Sequence, residues 1–320
     1  MTDIIHERLV AVVKCKASTG QYFVQLLTEV VEKLKLDKSK CIGNATDGAS
    51  NMQGKYKGFS ALLSSKSPNQ VHVWCYAHVL NLVLADTTDI VIASGSLFAL
   101  LNDIAVLRRE SYQRMNVWEK QSQDTRHRCL SPIGETRWWA KDSALKKVFG
   151  FFGKPDQDLY VEVLTLSAIQ GQANMKTTVR VKTRGFTEAL LRYEMILTAQ
   201  IFLRIFEFTS PLSRYLQTSG MDILSAVRMV VATQDNLKGI ARDFYAIKAA
   251  ADTFVQWANY NIQEQDEETE GVEAILPQKR ARKKKNMPGE MAQDEALTEV
   301  ESAYKVEVHN QIMDTVTDDF

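Results

Sequence analysis

The hydrophobic pattern changes character near residue 94, and this change constrains the fold of the chain. Before it, short β-branched runs at residues 8–15, 40–45 and 71–74 alternate with segments whose apolar residues recur every three or four positions. After it, the apolar spacing is mainly that of helices. We therefore predict an α/β fold followed by an all-α part, with three strands in the first part.

The predicted helices have recognisable positions. Thr19 is expected to cap a helix whose apolar face covers residues 23–34, because threonine is a favoured N-cap residue. Short helices are expected at residues 59–63 and 76–84, after the second and third strands. The clearest helical spacing lies at residues 237–258, which predicts a long helix packed against a partner.

Length and composition suggest a division of the chain into two folded parts and a charged end. A chain of 320 residues with 45% hydrophobic residues is suited to about two domains. We predict an α/β part at residues 1–150 and a helical domain at 151–263. A charged, disordered linker at 264–290 and an acidic, weakly helical tail at 291–320 are expected to follow.

The overall charge of the chain does not indicate an activity, whereas its cysteines indicate a cellular compartment. Lysine plus arginine and aspartate plus glutamate each number 39, so any nucleic-acid contact must come from local patches. The four cysteines are irregularly spaced, which favours a reducing, intracellular compartment over a disulfide framework. The apolar segment 196–208 is interrupted by Gln200, Arg204 and Glu207, so we expect no membrane span there.

Three side chains near the predicted strand ends are candidates for metal chemistry. Asp47 and Cys75 each follow a strand, where functional groups gather in α/β sheets. Asp47 and Gly48 offer a carboxylate beside a flexible backbone, which suits Mg²⁺ or Mn²⁺, although an ordinary turn has the same sequence. Cys75 and His78 share a helix face, but a structural zinc site needs four ligands, and a buried histidine is the alternative.

Two basic segments are candidates for nucleic-acid contact or targeting. Arg137 and Trp138, preceded by basic residues at 126–128, combine a guanidinium with an aromatic surface that can stack on a base. The alternative is a helix start that uses tryptophan in the core. The second basic segment is residues 279–285, and a nuclear-import signal or a solvated linker would explain it equally well. Its basic residues are Lys279, Arg280, Arg282, Lys283, Lys284 and Lys285.

These motifs together resemble those of the hAT superfamily of DNA transposases and its domesticated relatives, including the MYM-type zinc-finger protein 1-like group. The similarity covers about residues 5 to 260, with three motifs in the family's order. The matching text is Asp47-Gly48-Ala-Ser-Asn51-Met-x-Gly54-x-x-x-Gly58, then Cys75-x-x-His78-x-Leu80-Asn81-Leu82, then Thr136-Arg137-Trp138.

The resemblance implies an RNase H-like core interrupted by a large helical insertion domain. Members of the family cut DNA by two-metal phosphoryl transfer, with Mg²⁺ or Mn²⁺ held by three acidic residues. By motif, Asp47 corresponds to the second acid, with Gly48 and Asn51 supporting the motif around it. Cys75 and His78 correspond to the Cys-x-x-His beside the active site, and Trp138 to a tryptophan that handles a flipped base.

The sequence departs from the family at both ends. The first acid would lie upstream of residues 8–15, and the third is a glutamate in a C-terminal segment that also mediates dimerisation. Neither has a counterpart here, so we expect a partial core, truncated at both ends, without strand cleavage. DNA and protein are the candidate partners; a membrane and a small-molecule substrate are not expected, and neither is self-association through the missing segment.

Three functional hypotheses follow from these expectations. The first is a transposase-derived nuclear protein that has lost catalysis but keeps nucleic-acid or protein binding. The second is a metal-dependent transposase or nuclease whose missing acids are supplied elsewhere. The third is a helical interaction scaffold in which the α/β part is a platform.

Overall fold

The computed structural model describes residues 8–122, 129–134, 138–155, 159–267, 269–278 and 299–320. Their contacts divide the chain into two compact units. Unit 1 contains Met1–Val83 and Ser213–Arg228, and unit 2 contains Leu84–Leu212 and Met229–Phe320. The three points of division follow residues 83, 212 and 228, and the expected domain boundary at residue 150 stays a prediction.

The described residues form two strands and a series of helices. The strands are β1 (Gly43–Thr46) and β2 (Val71–Trp74). The helices of the first half are α1 (Gly20–Lys33), α2 (Ser50–Gln53), α3 (Phe59–Ser64), α4 (Tyr76–Asp89), α5 (Ile92–Arg109), α6 (Tyr112–Gln121) and α7 (Trp138–Phe149). Those of the second half are α8 (Leu159–Gly171), α9 (Thr177–Leu190), α10 (Tyr193–Leu216), α11 (Ile223–Ile240), α12 (Phe244–Gln265), α13 (Val300–Tyr304) and α14 (Gln311–Asp319), with a π-helical stretch, Lys305–Asn310, before α14.

Unit 1 is built on a pair of parallel strands. The register places Gly43 opposite Val71 and Thr46 opposite Trp74, so the two strands end side by side. The amide nitrogen of Cys75 extends the ladder by donating to the carbonyl oxygen of Thr46 at 2.9 Å. Because parallel strands need a crossover connection, α2 and α3 lie between them in the sequence. The residues that follow both strands are thereby brought to one edge of the sheet.

The prediction of a strand at residues 8–15 was wrong. This segment has no strand structure, and its apolar residues are exposed, with Leu9 at 85% and Val12 at 87% of their full accessibility. A β-branched composition is only a preference, because a strand exists only where a neighbouring backbone completes its hydrogen bonds. Among the described residues, the sheet contains β1 and β2 and no third strand.

Elements defined by local chemistry agree with the predictions. Helix α1 begins after Thr19, whose hydroxyl accepts a hydrogen bond from the amide of Tyr22 at 3.3 Å. Strand β2 has the predicted bounds, and α3 occupies its predicted position. The single long helix predicted at residues 237–258 is divided in two, because α11 ends at Ile240 and α12 begins at Phe244, where the side chain of Asp243 caps the new helix by accepting from the amide of Ala246. Thr136, the first residue of the third motif, lies outside the described residues. The described chain is mostly helical, with few strands.

Unit 2 is a helical body with an aromatic core. The ring centroids of Phe98 and Phe202 are 5.1 Å apart in an edge-to-face arrangement, and those of Phe149 and Phe254 are 5.5 Å apart. All four side chains are buried. Helices α5, α6, α8, α9 and α12 pack on one another through such apolar faces. Helix packing of this kind is the source of stability for this part of the chain.

Helix α10 is the most apolar long helix among the described residues. Its length and composition alone would allow it to cross a membrane, but 72% of its most apolar window is buried inside the protein. Buried residues on α10 include Ile196, Phe202 and Phe206. A mostly buried helix of this kind is also what the centre of a helical core requires.

The acidic segment after α12 is packed against that helix. Asn259 donates from Nδ2 to the carbonyl oxygen of Val272 at 2.9 Å and accepts from the amide of Val272 at 2.7 Å. The side chain of Val272 is 5% exposed. Part of the segment that was expected to be a disordered linker, residues 264–290, is thus packed against α12 at Val272. The tail from Val300 to Asp319 is helical.

Candidate functional site

The candidate site lies at the edge of unit 1 where β1 and β2 end. Asp47 follows β1 directly, and Cys75 follows β2 directly. The hydrogen bond from the amide of Cys75 to the carbonyl of Thr46 holds these two strand ends together. The predicted placement of Asp47 and Cys75 at neighbouring strand ends is therefore seen in the structure.

Asp47 is an exposed residue whose carboxylate organises the local turn. Its Oδ1 accepts a hydrogen bond from the amide of Ala49 at 3.2 Å, which is the geometry of an Asx turn. Its backbone carbonyl accepts from Nε2 of Gln53 at 3.0 Å. The turn that was the alternative interpretation of Asp47 and Gly48 is thus present.

His78 lies over Gly48. A Cβ atom placed on Gly48 would be 3.5 Å from both Cδ2 and Nε2 of the His78 ring, and 3.8 Å from Cδ1 of Leu82. The ring is half-buried, whereas Cys75 is exposed. The turn after β1 and the first turns of α4 therefore touch through this glycine.

Asn51 connects the site to the residues before α1. Its side-chain amide donates to the carbonyl oxygen of Ser18 at 2.9 Å. The same region is close-packed, because a Cβ on Gly20 would be 2.7 Å from the carbonyl oxygen of Asn51. Asn51 therefore holds the start of α1 against α2.

A polar network under the site was not predicted from the sequence. The ring of His72 bridges Oδ1 of Asn44 at 2.6 Å and Oε1 of Gln53 at 2.8 Å. Gln53 also donates to Oγ1 of Thr46 at 2.9 Å, and Asn44 donates to Gln70. The register of β1 and β2 places Asn44 opposite His72, and the alternation of residues along each strand is the signal that could have identified this pair.

The carboxylates, cysteines and histidines of the described residues do not gather into a metal site. Among the described residues, no group of three or more His, Cys, Asp or Glu side chains could hold a metal ion. Mg²⁺ and Mn²⁺ prefer several oxygen ligands in a defined geometry, and zinc prefers four ligands of nitrogen or sulfur. The described residues around Asp47 do not fit either requirement.

The other candidate residues lie partly outside the described chain. Trp138 is the first residue of α7 in unit 2. Arg137, the basic residues at 126–128 and the cluster at 279–285 lie outside the described residues. Their predicted roles in nucleic-acid contact and nuclear import remain predictions.

Charge is distributed unequally between the two units. In the sequence, unit 1 has 12 lysine and arginine residues against 7 aspartate and glutamate residues, and unit 2 has the remaining 27 against 32. A neutral chain is thus composed of a basic unit with a net charge of +5 and an acidic unit with −5. Where an acid of unit 1 does meet a lysine, as Glu32 meets Lys38 at 2.7 Å, that hydrogen bond lowers the pKa of Glu32.

Comparison with known proteins relates the first part of the chain to an RNase-like domain. A family described as "DUF4371: ZMYM1/FAM200, RNase-like domain" matches residues 2–58, which include Asp47, Gly48 and Asn51. A human protein, "52 kDa repressor of the inhibitor of the protein kinase", is 21% identical over 244 residues. That alignment covers 74% of this chain and 31% of the human protein, so the chain spans about a third of its relative's length. No solved structure matches.

Neither of these two matches extends over the whole chain. The family match ends at residue 58, before Cys75 and His78. The identity to the human protein is low. The chain is thus similar to an RNase-like domain family over residues 2–58, and to one human protein over 244 residues.

Proposed function

We propose that this chain is a transposase-derived nuclear protein that binds nucleic acid and does not cut it. The observation that carries the proposal is the composition of the strand-end site. Asp47, which corresponds by its motif to a catalytic acid of the resembled family, belongs to a basic unit but to no group of described side chains able to hold a metal. The site thus combines a charge suited to phosphate with a ligand set unsuited to catalysis.

The loss of catalysis follows from the requirements of phosphoryl transfer. Two-metal cleavage depends on ions that stabilise both the attacking and the leaving oxygen, and each ion needs several oxygen ligands. Asp47 contributes one carboxylate, and one of its oxygens is engaged by the amide of Ala49. A single engaged carboxylate does not supply that set.

The binding function follows from charge rather than from the site alone. Phosphate contacts supply most of the affinity in non-specific nucleic-acid binding, and the excess of basic residues in unit 1 favours them. Contact through Arg137 and Trp138 belongs to the same proposal, because these residues combine a guanidinium with an aromatic surface. A helical insertion domain at residues 151–263 belongs to it because the resemblance implies one.

Binding is tested by measuring the affinity for labelled DNA as the salt concentration rises. We expect log K to fall linearly with log salt, since each phosphate contact releases a counterion. Arg137→Ala/Trp138→Ala should weaken binding if these residues contribute. No binding at low salt would contradict the proposal and favour the helical scaffold.

Catalysis is tested by titrating Mg²⁺ and Mn²⁺ into the chain and into Asp47→Asn, with a strand-cleavage assay alongside. We expect equal, weak metal binding by both proteins and no cleavage. Tight binding that Asp47→Asn abolishes, or cleavage that depends on Asp47, would favour the enzyme with acids supplied elsewhere.

The nuclear location is tested by microscopy of a tagged chain. Replacing the basic residues of 279–285 with glutamine should move the protein from the nucleus to the cytoplasm if this cluster is read as an import signal. An unchanged distribution would leave the cluster as a solvated segment and remove this part of the proposal.

A further inference from the structure

A glycine-bounded loop in unit 1 has a shape set by its own packing. Gly54 and Gly58 close residues 54–58 through a hydrogen bond from the amide of Gly58 to the carbonyl of Gly54, at 2.8 Å. A Cβ on Gly58 would lie 2.6 Å from the carbonyl oxygen of Gly54, and one on Gly54 would lie 2.7 Å from that of Ser50. Both distances are too short for a real side chain.

The loop is also fixed to its neighbours on two sides. Gly20, at the start of α1, packs against the backbone at Lys57, and a Cβ there would be 2.6 Å from the amide nitrogen of Phe59. Gln53, immediately before the loop, bonds the hydroxyl of Thr46 and the carbonyl of Asp47. The loop is thereby attached to the strand-end site and held in place without a ligand.

What the loop presents to solvent is an aromatic ring between two lysines. Lys55, Tyr56 and Lys57 are all exposed, and Tyr56 is 78% exposed. The ammonium of Lys55 lies 5.5 Å from the centre of the Tyr56 ring. A single exposed tyrosine is ordinary on a protein surface. A tyrosine on a loop with a closely packed backbone, flanked by two lysines on a unit of net charge +5, has the chemistry of a nucleic-acid contact.

We propose that the 54–58 loop is a contact for single-stranded nucleic acid, in which Tyr56 stacks on an unpaired base while Lys55 and Lys57 bind the adjacent phosphates. Charge complementarity favours a polyanion, and the aromatic ring favours one whose bases are accessible. In a duplex the base faces are covered by their neighbours, so the ring would find no partner there. The inference rests on the proposed function and names the partner and the surface.

The experiment measures fluorescence anisotropy of a short labelled oligothymidylate with the full chain and its variants. Tyr56→Ala should weaken binding about 5- to 150-fold, as expected for the loss of one stacked base. Tyr56→Phe keeps the ring and should bind as the unaltered chain does. Lys55→Gln/Lys57→Gln should make the slope of log K against log salt shallower by about 1.4, because each phosphate contact to a single strand contributes about 0.7.

Matched controls separate the loop from general surface effects. Lys14→Gln/Lys16→Gln removes the same charge from exposed positions of the same unit, and Tyr112→Ala removes a tyrosine that is 93% exposed in unit 2. Neither should reproduce the loss. On a blunt duplex of equal length, Tyr56→Ala should bind as the unaltered chain does.

The outcomes distinguish this inference from the function on which it rests. If the unaltered chain binds the oligonucleotide and Tyr56→Ala binds equally well, the loop assignment is wrong and the proposed function stands. An equal loss in Lys14→Gln/Lys16→Gln would also overturn the assignment, because net charge would then explain the binding. If the unaltered chain binds neither single-stranded nor duplex nucleic acid, both proposals fall.

Discussion

The amide of Gly58 donates to the carbonyl of Gly54 at 2.8 Å, and neither glycine has room for a Cβ atom. We therefore expect Gly58→Ala to lower the free energy of unfolding by about 1–3 kcal/mol, the usual cost of adding an atom where there is no space. Urea denaturation measures the change.

The control is Gly95→Ala in α5, where nothing lies within 4 Å of the added Cβ. Since alanine favours a helix over glycine, that variant should gain about 0.5–1 kcal/mol. Equal stability of Gly58→Ala and the unaltered chain would show that the loop is not close-packed.

The buried ion pair of unit 2 should be costly to break. Nη1 of Arg108 donates to both carboxylate oxygens of Glu162, at 2.9 and 2.8 Å, and both side chains are buried. Glu162→Leu leaves the Arg108 side chain buried without its counter-charge. The free energy of unfolding, measured by denaturation in guanidinium chloride, should therefore fall by about 3–5 kcal/mol. Replacing both residues, as Arg108→Met/Glu162→Leu, should recover most of the lost free energy of unfolding, because this variant buries no unpaired guanidinium. A double variant as unstable as Glu162→Leu would contradict this explanation.

The clamp between Asn259 and Val272 should control the order of the segment after α12. Asn259→Ala removes a donor and an acceptor that bond the backbone of Val272, at 2.9 and 2.7 Å. Since unsatisfied buried polar groups cost about 1–3 kcal/mol each, residues 269–278 should detach locally and become sensitive to limited proteolysis. Asn261→Ala serves as the control, because the Asn261 side chain bonds within its own helix, to the carbonyl of Trp257. Equal cleavage of the two variants would mean that other contacts hold the segment.

His309 should make the stability of the chain sensitive to mild acid. Its ring is buried against Phe244, with centroids 5.4 Å apart, and among the described residues Nε2 has no hydrogen-bond partner. Burial lowers the pKa of His309 below 6.5, and the nearby charges of Lys305 and Arg242 lower it further. The hydrogen bond to Asn310 and the charge of Asp243 oppose this shift.

The sign of the effect follows from proton uptake. Below pH 6.5 the unfolded chain binds a proton at this position more readily than the folded chain, so the free energy of unfolding falls as the pH falls toward the folded-state pKa. Thermal unfolding between about pH 7.5 and 5.5 should show this loss, and His309→Gln should show less of it. Parallel pH profiles for the two proteins would assign the acid sensitivity to other groups.

Elements whose ends are set by neighbouring residues could be predicted from the sequence. Thr19 caps α1 because its hydroxyl reaches an amide three residues away, and Asp47 turns the chain after β1 through the amide of Ala49. Residues 8–15 have an equally clear β-branched pattern, yet they form no strand in the structure. A helix cap finds its hydrogen-bond partner within its own segment, whereas a strand needs hydrogen bonds from a second, distant segment.

The same division applies to the candidate site. The motifs around Asp47, Cys75 and His78 predicted that two strand ends would meet, and the register of β1 and β2 places them together. The network of Asn44, Gln53 and His72 was not predicted, because it joins side chains up to 28 residues apart. Such side chains pair only after the elements that carry them, here β1, α2 and β2, have packed together.

The sequence by itself determined the helical and extended preferences, the turn at Asp47 and Gly48, and the positions of the charges along the chain. Tertiary structure decided that His78 lies over Gly48, that Gly20 packs against the loop at Lys57, and that Arg108 is paired with a carboxylate 54 residues away. The physical reason is the range of the interactions. Capping and backbone preferences act over a few residues, whereas close packing and burial exist only after distant segments have come together.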